Sequence, residues 1–191
     1  MKRILLNTAK ILLFTACFAA AFWYSLSWQS IGNFVLSTAS SYASRNGTRI
    51  TFSGVSGTNG GFTVHNLSVN GGLSFTFASL TITPRIIASV ANLSLAADIS
   101  FTDANARFGQ TLNFGNGGMT VFARPSEIHA ENIRTNGDFS VSGSVTFDTR
   151  AIRISRASAR LNMPPQWEDN ISLLQGFLPI VHDGQNWYLR R

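Results

Sequence analysis

The sequence is short of cysteine, lysine and acidic residues, and each shortage excludes a kind of chemistry. Cys17 is the single cysteine, so no internal disulfide can form. Lys2 and Lys10 are the only lysines, and the rest of the chain therefore cannot supply a phosphate-binding loop that ends in Gly-Lys. Charged residues make up only 13% of the chain, against roughly 25% in soluble domains.

Catalytic patterns are also missing from the sequence. His65, His129 and His182 are far apart, and none has a second histidine at metal-binding spacing. The chain has no Gly-x-Ser-x-Gly nucleophile motif. Glu127 and Glu131 flank His129, but alternate residues of a strand share a face, so we interpret the three as neighbours on a solvent-facing surface. We therefore predict a protein that is not an enzyme and has no metal site and no cofactor.

The chain is basic, with a formal net charge of +6. Basic character is typical of nucleic-acid binding, but both lysines lie near the N-terminus and most arginines are scattered. Four arginines lie closer together, at positions 150, 153, 156 and 160. Such a stripe fits an anionic lipid surface, an acidic partner or a solvated strand face. We favour the solvated face and predict no nucleic-acid partner.

The N-terminal segment has the pattern of a membrane anchor. Residues 11–28 carry no charge, and the basic residues of the segment all precede them. About 20 apolar residues cross a bilayer as a helix, with the positive end kept in the cytoplasm. Trp23, Tyr24 and Trp28 then lie where interfacial aromatic anchors belong. Two alternatives stay open: cleavage of a signal peptide near residues 19–21, and lipid attachment at Cys17.

Beyond the anchor, the sequence predicts strands. From Thr48 onward apolar residues alternate with polar ones in short runs, the clearest of which spans residues 93–101. Asn-Gly and Gly-Gly pairs separate the runs and are typical of hairpin turns. We expect eight to ten antiparallel strands, each apolar on one side, in a curved sheet or a sandwich. Asn66 interrupts the alternation, and Leu80 and Ile82 continue it with the phase reversed, as a bulge allows.

Three regions follow from these patterns. Residues 1–28 form a cytoplasmic tip and a single transmembrane helix, 29–47 a helical or extended connector, and 48–191 a β-rich domain. Within this domain, residues 167–177 predict a short C-terminal helix after two prolines. Residues 187–189 suit a last edge strand, and residues 84–90 fit a helical turn as well as a strand.

The apolar faces of the predicted strands are rich in phenylalanine, of which the chain has 15. In a closed sandwich these rings form the core. In an open, curved sheet they line a groove for acyl chains or a hydrophobic partner. The alternation is the same in both cases, so the candidate residues of this core or groove are Phe75, Phe77, Leu95, Phe101 and Phe147.

Three stretches resemble a known family. They are ITFSGVSGTNGGFTVHNLSV at residues 50–69, LSFTFASLTITPRIIA at 73–88, and the end of the chain from NGDFSVSGSVTFDTRAIRISRASARLNM at 136–163 to DGQNWYLRR. Their short strands, glycines and closing aromatic strand are similar to those of the type II secretion system protein N (GspN) family, a branch of the AsmA-like periplasmic β proteins. The chain is short for that family, and the motifs carry no catalytic residues.

This resemblance implies a single-pass protein of the bacterial inner membrane, with its C-terminal domain in the periplasm. Such a protein would act without catalysis, through contacts with other proteins of the type II secretion system. An AsmA-like or lipopolysaccharide-export-like lipid-binding or transfer protein with an apolar groove is the alternative, and it uses the same anchor and the same one-sided strands.

Overall fold

The computed structural model describes residues 2–72, 74–108, 110–151, 153–163, 180–183 and 187–190. Its helices are α1 Lys2–Ser25, α2 Trp28–Arg45 and α3 Ile86–Asn92. Its strands are β1 Arg49–Thr51, β2 Gly54–Thr58, β3 Gly61–Asn70, β4 Ser74–Pro84, β5 Leu95–Phe108, β6 Gln110–Arg124, β7 Glu127–Thr135, β8 Ser140–Asp148, β9 Arg153–Asn162, β10 Ile180–His182 and β11 Trp187–Arg190.

The strands of the described residues form one antiparallel sheet. Its order is β1-β3-β4-β5-β6-β7-β8-β9-β11-β10, and β2 pairs separately with β3. Consecutive strands from β3 to β9 are neighbours, as expected when short turns connect antiparallel strands. The predicted mostly β, antiparallel class is therefore confirmed. Of the two predicted arrangements, these residues adopt the single sheet and not a two-sheet sandwich.

One face of the sheet is apolar. Every second side chain along a strand lies on this face, and its partner on the neighbouring strand is apolar as well. Ile82, Ile99 and Met119 are paired across β4, β5 and β6 in this way. The buried residues on this face gather in two clusters. The N-terminal cluster contains Trp28, Leu36, Val55, Phe62, Val64 and Leu67. The C-terminal cluster contains Ala106, Leu112, Phe139, Ala157, Ala159, Leu161, Met163, Ile180 and Leu189.

Helix α2 covers the N-terminal cluster. Trp28, Gly32 and Leu36 recur every four residues, so they lie on one side of the helix, and all three are buried. Gly32 allows close approach to the sheet: a Cβ atom there would lie 2.7 Å from side-chain atoms of Val55 and Phe62. Helix α2 therefore packs across β2 and β3, and its buried residues belong to the hydrophobic core.

The alternation of β3 reverses at Asn66, where the sequence indicates a break. Asn66 has a φ of 49°, in the left-handed region that asparagine tolerates better than most residues. On its two sides the β3–β4 pairing passes from His65 opposite Ser79 to Leu67 opposite Phe77. This step restores the apolar face, and it is the phase reversal that the sequence predicts.

Strand β5 begins later than the clean alternation suggests. β4 ends at Pro84, α3 follows, and Leu93 is the left-handed cap of that helix with a φ of 47°. Leu93 therefore does not belong to the apolar face that the run 93–101 predicts, and 89% of its surface is exposed. Residues 84–90 fit both a helical turn and a strand in the sequence. In the structure they contain the last residue of β4, Pro84, and the larger part of α3.

Two further expectations concern the ends of the chain. β11 pairs with β9 on one side and β10 on the other, so the prediction of an edge strand at residues 187–189 is wrong and β10 is the last strand of the described sheet. The predicted helix at residues 167–177 lies outside the described residues. Within the part of the chain that the structure describes, no helix is both long and apolar enough to cross a membrane.

Candidate interaction surfaces

The five apolar residues predicted for a core or groove lie at different depths. Phe77 and Phe101 meet edge to face, with ring centroids 5.8 Å apart, and Phe101 is buried. Phe147 is half-buried, whereas 78% of Leu95 is exposed. Phe75 lies near the opposite end of the sheet, paired with Val69 and Ala106, and is 36% exposed. The structure therefore divides these residues between core and surface.

A half-buried apolar strip crosses the middle of the sheet between the two clusters. Ile99 and Met119 are paired, and the next row joins Val121, Ala130 and Val145. All five are neither fully buried nor fully exposed. This strip is the part of the apolar face that comes closest to the predicted groove.

The three aromatic residues predicted as interfacial anchors separate in the structure. Trp28 is only 6% exposed and belongs to the N-terminal cluster. Its ring meets Trp23 edge to face, with centroids 4.4 Å apart, and Trp23 is half-buried against the same cluster. Tyr24 is 71% exposed. The tryptophans thus join the end of α1 to the sheet, while Tyr24 faces outward.

The residues around α3 form an exposed apolar surface that the sequence patterns do not identify. We call it the apolar tip, and define it as Ile86, Ile87, Val90, Leu93, Leu95 and Ile128, all of which are exposed. The signal in the sequence is the segment PRIIASVANLSL, where apolar residues recur without the period of two that the neighbouring strands show. A short helix between strands accounts for that change of period.

The opposite, polar face of the sheet holds a cavity of about 570 Å³ beside β7 and β8. His129 Nδ1 lies 2.9 Å from Thr146 Oγ1, and His129 Nε2 lies 3.7 Å from Glu131 Oε2. Glu127 instead pairs with Arg124, 3.0 Å away. The alternation of β7 places the three predicted neighbours on one face, as expected, but only His129 and Glu131 approach each other.

Thr146, His129 and Glu131 supply a hydroxyl, an imidazole and a carboxylate, which are the groups of a nucleophilic triad, but they do not have the geometry of one. Thr146 is only 8% exposed, so its hydroxyl offers little access to a substrate. The 3.7 Å separation of His129 and Glu131 is too long for a hydrogen bond that would orient the ring. Among the described residues, no group of three His, Cys, Asp or Glu side chains is placed to hold a metal ion.

A single antiparallel sheet with an apolar and a polar face, joined to an N-terminal helix pair, defines a mostly β protein. The chain matches, over residues 5–191, the family model described as type II secretion system protein GspN-like, Synergistales. It therefore belongs to this GspN-like family. No curated protein and no solved structure matches the chain.

Proposed function

We propose that this protein is a non-catalytic component of the type II secretion system, anchored in the bacterial inner membrane and acting through protein contacts in the periplasm. The observation that carries the proposal is the family match, which extends over residues 5–191 and so includes both the helices and the sheet. The name of the family specifies the secretion system, and the surfaces of this chain suggest how it takes part.

The membrane anchor in this proposal is α1. Before Trp23, three of its aromatic side chains are exposed: Phe14 is 72%, Phe18 63% and Phe22 58% exposed. Large aromatic side chains in such number on one helix favour an apolar environment over water. The basic residues at positions 2, 3 and 10 would hold the N-terminus in the cytoplasm and direct the sheet to the periplasm.

Contacts with partner proteins would use the edge of the sheet. β10 ends the described strand order, and an edge strand is where a strand from another chain can be added to a sheet. Val181 on this strand is 50% exposed, and the exposed His182 ring is stacked on Trp187, with ring centroids 4.2 Å apart. An edge strand with an exposed apolar side chain suits the addition of a partner strand.

The test is secretion by cells that lack the gene. We expect their secreted proteins to remain in the periplasm, and expression of the intact chain to restore release. A chain with Val181→Lys, which places a charge on the edge, should restore release poorly if β10 pairs with a partner. His129→Ala serves as the matched control on the polar face and should restore release fully. Normal secretion in the deleted cells would refute the proposal.

Lipid binding is the second candidate, and the half-buried strip of Ile99, Met119 and Val121 favours it. An acyl chain laid along this strip would remove apolar surface from water that the protein itself leaves partly exposed. Native mass spectrometry of the protein released from mild detergent would show a bound lipid in this case. Val121→Asp should abolish that lipid, while Thr111→Asp, on an exposed part of the same strand, should retain it. A lipid-free protein would contradict this candidate.

A further inference from the structure

We infer that the apolar tip inserts into the headgroup and acyl boundary of the same lipid bilayer that α1 enters, so that the sheet stands on the membrane at two points. This inference rests on the proposed anchoring of α1. It adds to that proposal a second membrane contact, made by the sheet itself, with anionic phospholipid as the partner.

The first support is that α3 turns Ser89 inward and its large apolar side chains outward. Ser89 Oγ donates a hydrogen bond to the Arg85 carbonyl oxygen at 2.8 Å and accepts one from the Ala96 N–H at 2.9 Å, so it faces the sheet. On the outer side, Ile87 is 88% and Val90 70% exposed. A helix on a protein surface in water normally has the reverse arrangement.

The apolar tip is continued by side chains of the neighbouring strands. Leu95, at the start of β5, is paired with Ala123, which is paired in turn with Ile128 on β7. Ile128 is 39% exposed, in addition to the strongly exposed Leu95. The apolar tip therefore extends from α3 across the ends of β5, β6 and β7, so it is wider than the helix alone.

The second support is that α1 leaves the sheet at this same end. A Cβ atom at Gly60, in the turn between β2 and β3, would lie 3.1 Å from Trp23 Nε1, so the end of α1 rests on that turn. β3 starts directly after this turn, and its residue Phe62 is paired with Ile82 of β4. β4 ends two residues later, at Pro84, and α3 starts at Ile86. Strands are about 5 Å apart, so α3 begins within roughly 10 Å of the turn that α1 touches.

The direction of α1 agrees with this placement. Among the residues of α1 whose side chains are described, those from Lys10 to Phe22 are all exposed, so this part of the helix does not lie on the sheet. A bilayer that surrounds this helix must meet the protein where the helix leaves it. The apolar tip lies at the end of the sheet from which α1 leaves, so lipid is the partner nearest to it.

Arginines around the apolar tip suit the headgroup region. Arg85 and Arg124 lie beside it, each in contact with a carboxylate: Asp98 at 3.6 Å and Glu127 at 3.0 Å. Arg150 lies in the β8–β9 turn and Arg153 is the first residue of β9, at the same end of the sheet and next to Asp148. The arginines outnumber the carboxylates, and their long stems let the charged groups reach phosphates while the apolar tip enters the boundary.

The experiment measures the depth of single labelled positions. The full chain carries Cys17→Ser, and a cysteine introduced by Val90→Cys is labelled with an environment-sensitive fluorophore. The protein is reconstituted into vesicles of phosphatidylcholine and phosphatidylglycerol that contain a lipid-attached quencher. Gly72→Cys is the matched control, because the exposed β3–β4 turn lies at the far end of the ten-residue strand β3, roughly 30 Å away. Ala20→Cys reports the anchoring of α1.

We expect the labels at Val90 and Ala20 to be quenched several-fold more than the label at Gly72. Quenching at Ala20 without quenching at Val90 overturns the inference and leaves the anchor intact. Quenching at neither position overturns both the inference and the anchor. Quenching at Val90 alone retains the membrane contact of the tip and refutes the anchor.

A charge on the tip provides an independent check. Ile87→Asp in the Val90→Cys protein should remove most of the quenching, because a carboxylate resists entry into the bilayer. Phe34→Asp changes a side chain that is 71% exposed on α2 and does not belong to the apolar tip, and it should leave the quenching unchanged. If native membranes shield the Val90 label but protein-free vesicles do not, the tip binds a protein and the lipid assignment is wrong.

Discussion

Gly32 shows how a single missing side chain sets the distance between a helix and the sheet. A Cβ atom at this position would approach Val55 and Phe62 to 2.7 Å, closer than carbon atoms tolerate. We expect Gly32→Leu to lower the free energy of unfolding by about 1–3 kcal/mol, as other overpacked cores do. Asn33→Leu places the same side chain on the exposed side of α2 and should cost almost nothing. Urea unfolding in mild detergent measures both, and equal stability of the two variants would contradict the close packing.

Asp148 stabilises the turn between β8 and β9 in a manner that depends on pH. Its Oδ1 accepts hydrogen bonds from the backbone N–H groups of Arg150 and Ala151, each at 2.9 Å. The bond from Ala151, then that from Arg150, and more weakly the charges of Arg153 and Arg150 lower the pKa of the carboxyl below 3.8, against a smaller opposing effect of desolvation. The carboxyl group of Asp148 therefore ionises more readily in the folded protein than in the unfolded chain.

The sign of the pH effect follows from this lowered pKa. The stabilisation is complete well above pH 3.8 and is lost as the pH falls from there through the lower folded value. We expect Asp148→Asn to melt at a lower temperature than the unchanged protein at neutral pH, with the difference shrinking below about pH 3.8. Asp138→Asn, at an exposed carboxyl outside this turn, is the control. A difference that is independent of pH would show that the charge plays no part.

At the scale of elements, the left-handed backbone at Asn66 decides which residues of β3 face the core. The left-handed backbone there disfavours β-branched residues and suits glycine. We expect Asn66→Val to destabilise the protein by about 1–2 kcal/mol, and Asn66→Gly to be nearly neutral. Thermal unfolding of the two variants compares them directly. If valine were tolerated as well as glycine, the left-handed backbone would not constrain this position.

Helix α1 provides the prediction for the proposed anchor. Ala20 lies in the uncharged run and is exposed along the helix. An arginine at the centre of a span costs roughly 2.5–3.5 kcal/mol on insertion scales. Ala20→Arg should therefore shift the protein from the membrane to the soluble fraction after cell lysis, whereas Ala20→Leu should leave it in the membrane. Unchanged fractionation of Ala20→Arg would argue against a spanning helix.

On the scale of the whole molecule, two core clusters share one sheet. The strands β4 and β5 pair along most of their length and so connect the N-terminal cluster with the C-terminal one. Leu161→Ala, a change in the C-terminal cluster at a residue 6% exposed, should lower the free energy of unfolding by about 2–5 kcal/mol. Because the sheet is continuous, we expect the N-terminal cluster to lose the same stability.

The measurement uses two probes of the same transition. In a chain with Trp167→Phe and Trp187→Phe, fluorescence reports only Trp23 and Trp28 in the N-terminal cluster, while circular dichroism reports the whole sheet. Coincident transitions in both, shifted equally by Leu161→Ala, would establish one cooperative unit. A fluorescence transition that Leu161→Ala leaves in place would show that the two clusters unfold separately.

The sequence by itself determined the class of fold and the order of its parts. Alternation with a period of two depends only on local geometry, so it predicted antiparallel strands with one apolar face, and it located the break in the alternation at Asn66. The same local pattern identified the uncharged N-terminal run. The family resemblance followed from these stretches and is confirmed over residues 5–191.

Only the tertiary structure decided which apolar residues are core and which are surface. Phe101 and Leu95 belong to one alternating run, yet Phe101 is 8% and Leu95 78% exposed, because strand neighbours cover the one and the sheet ends at the other. Trp28 is likewise buried by contacts with strands that follow it in the chain. Such burial depends on residues far apart in sequence, and a local pattern contains no information about which distant strand, helix or bilayer will cover a given side chain.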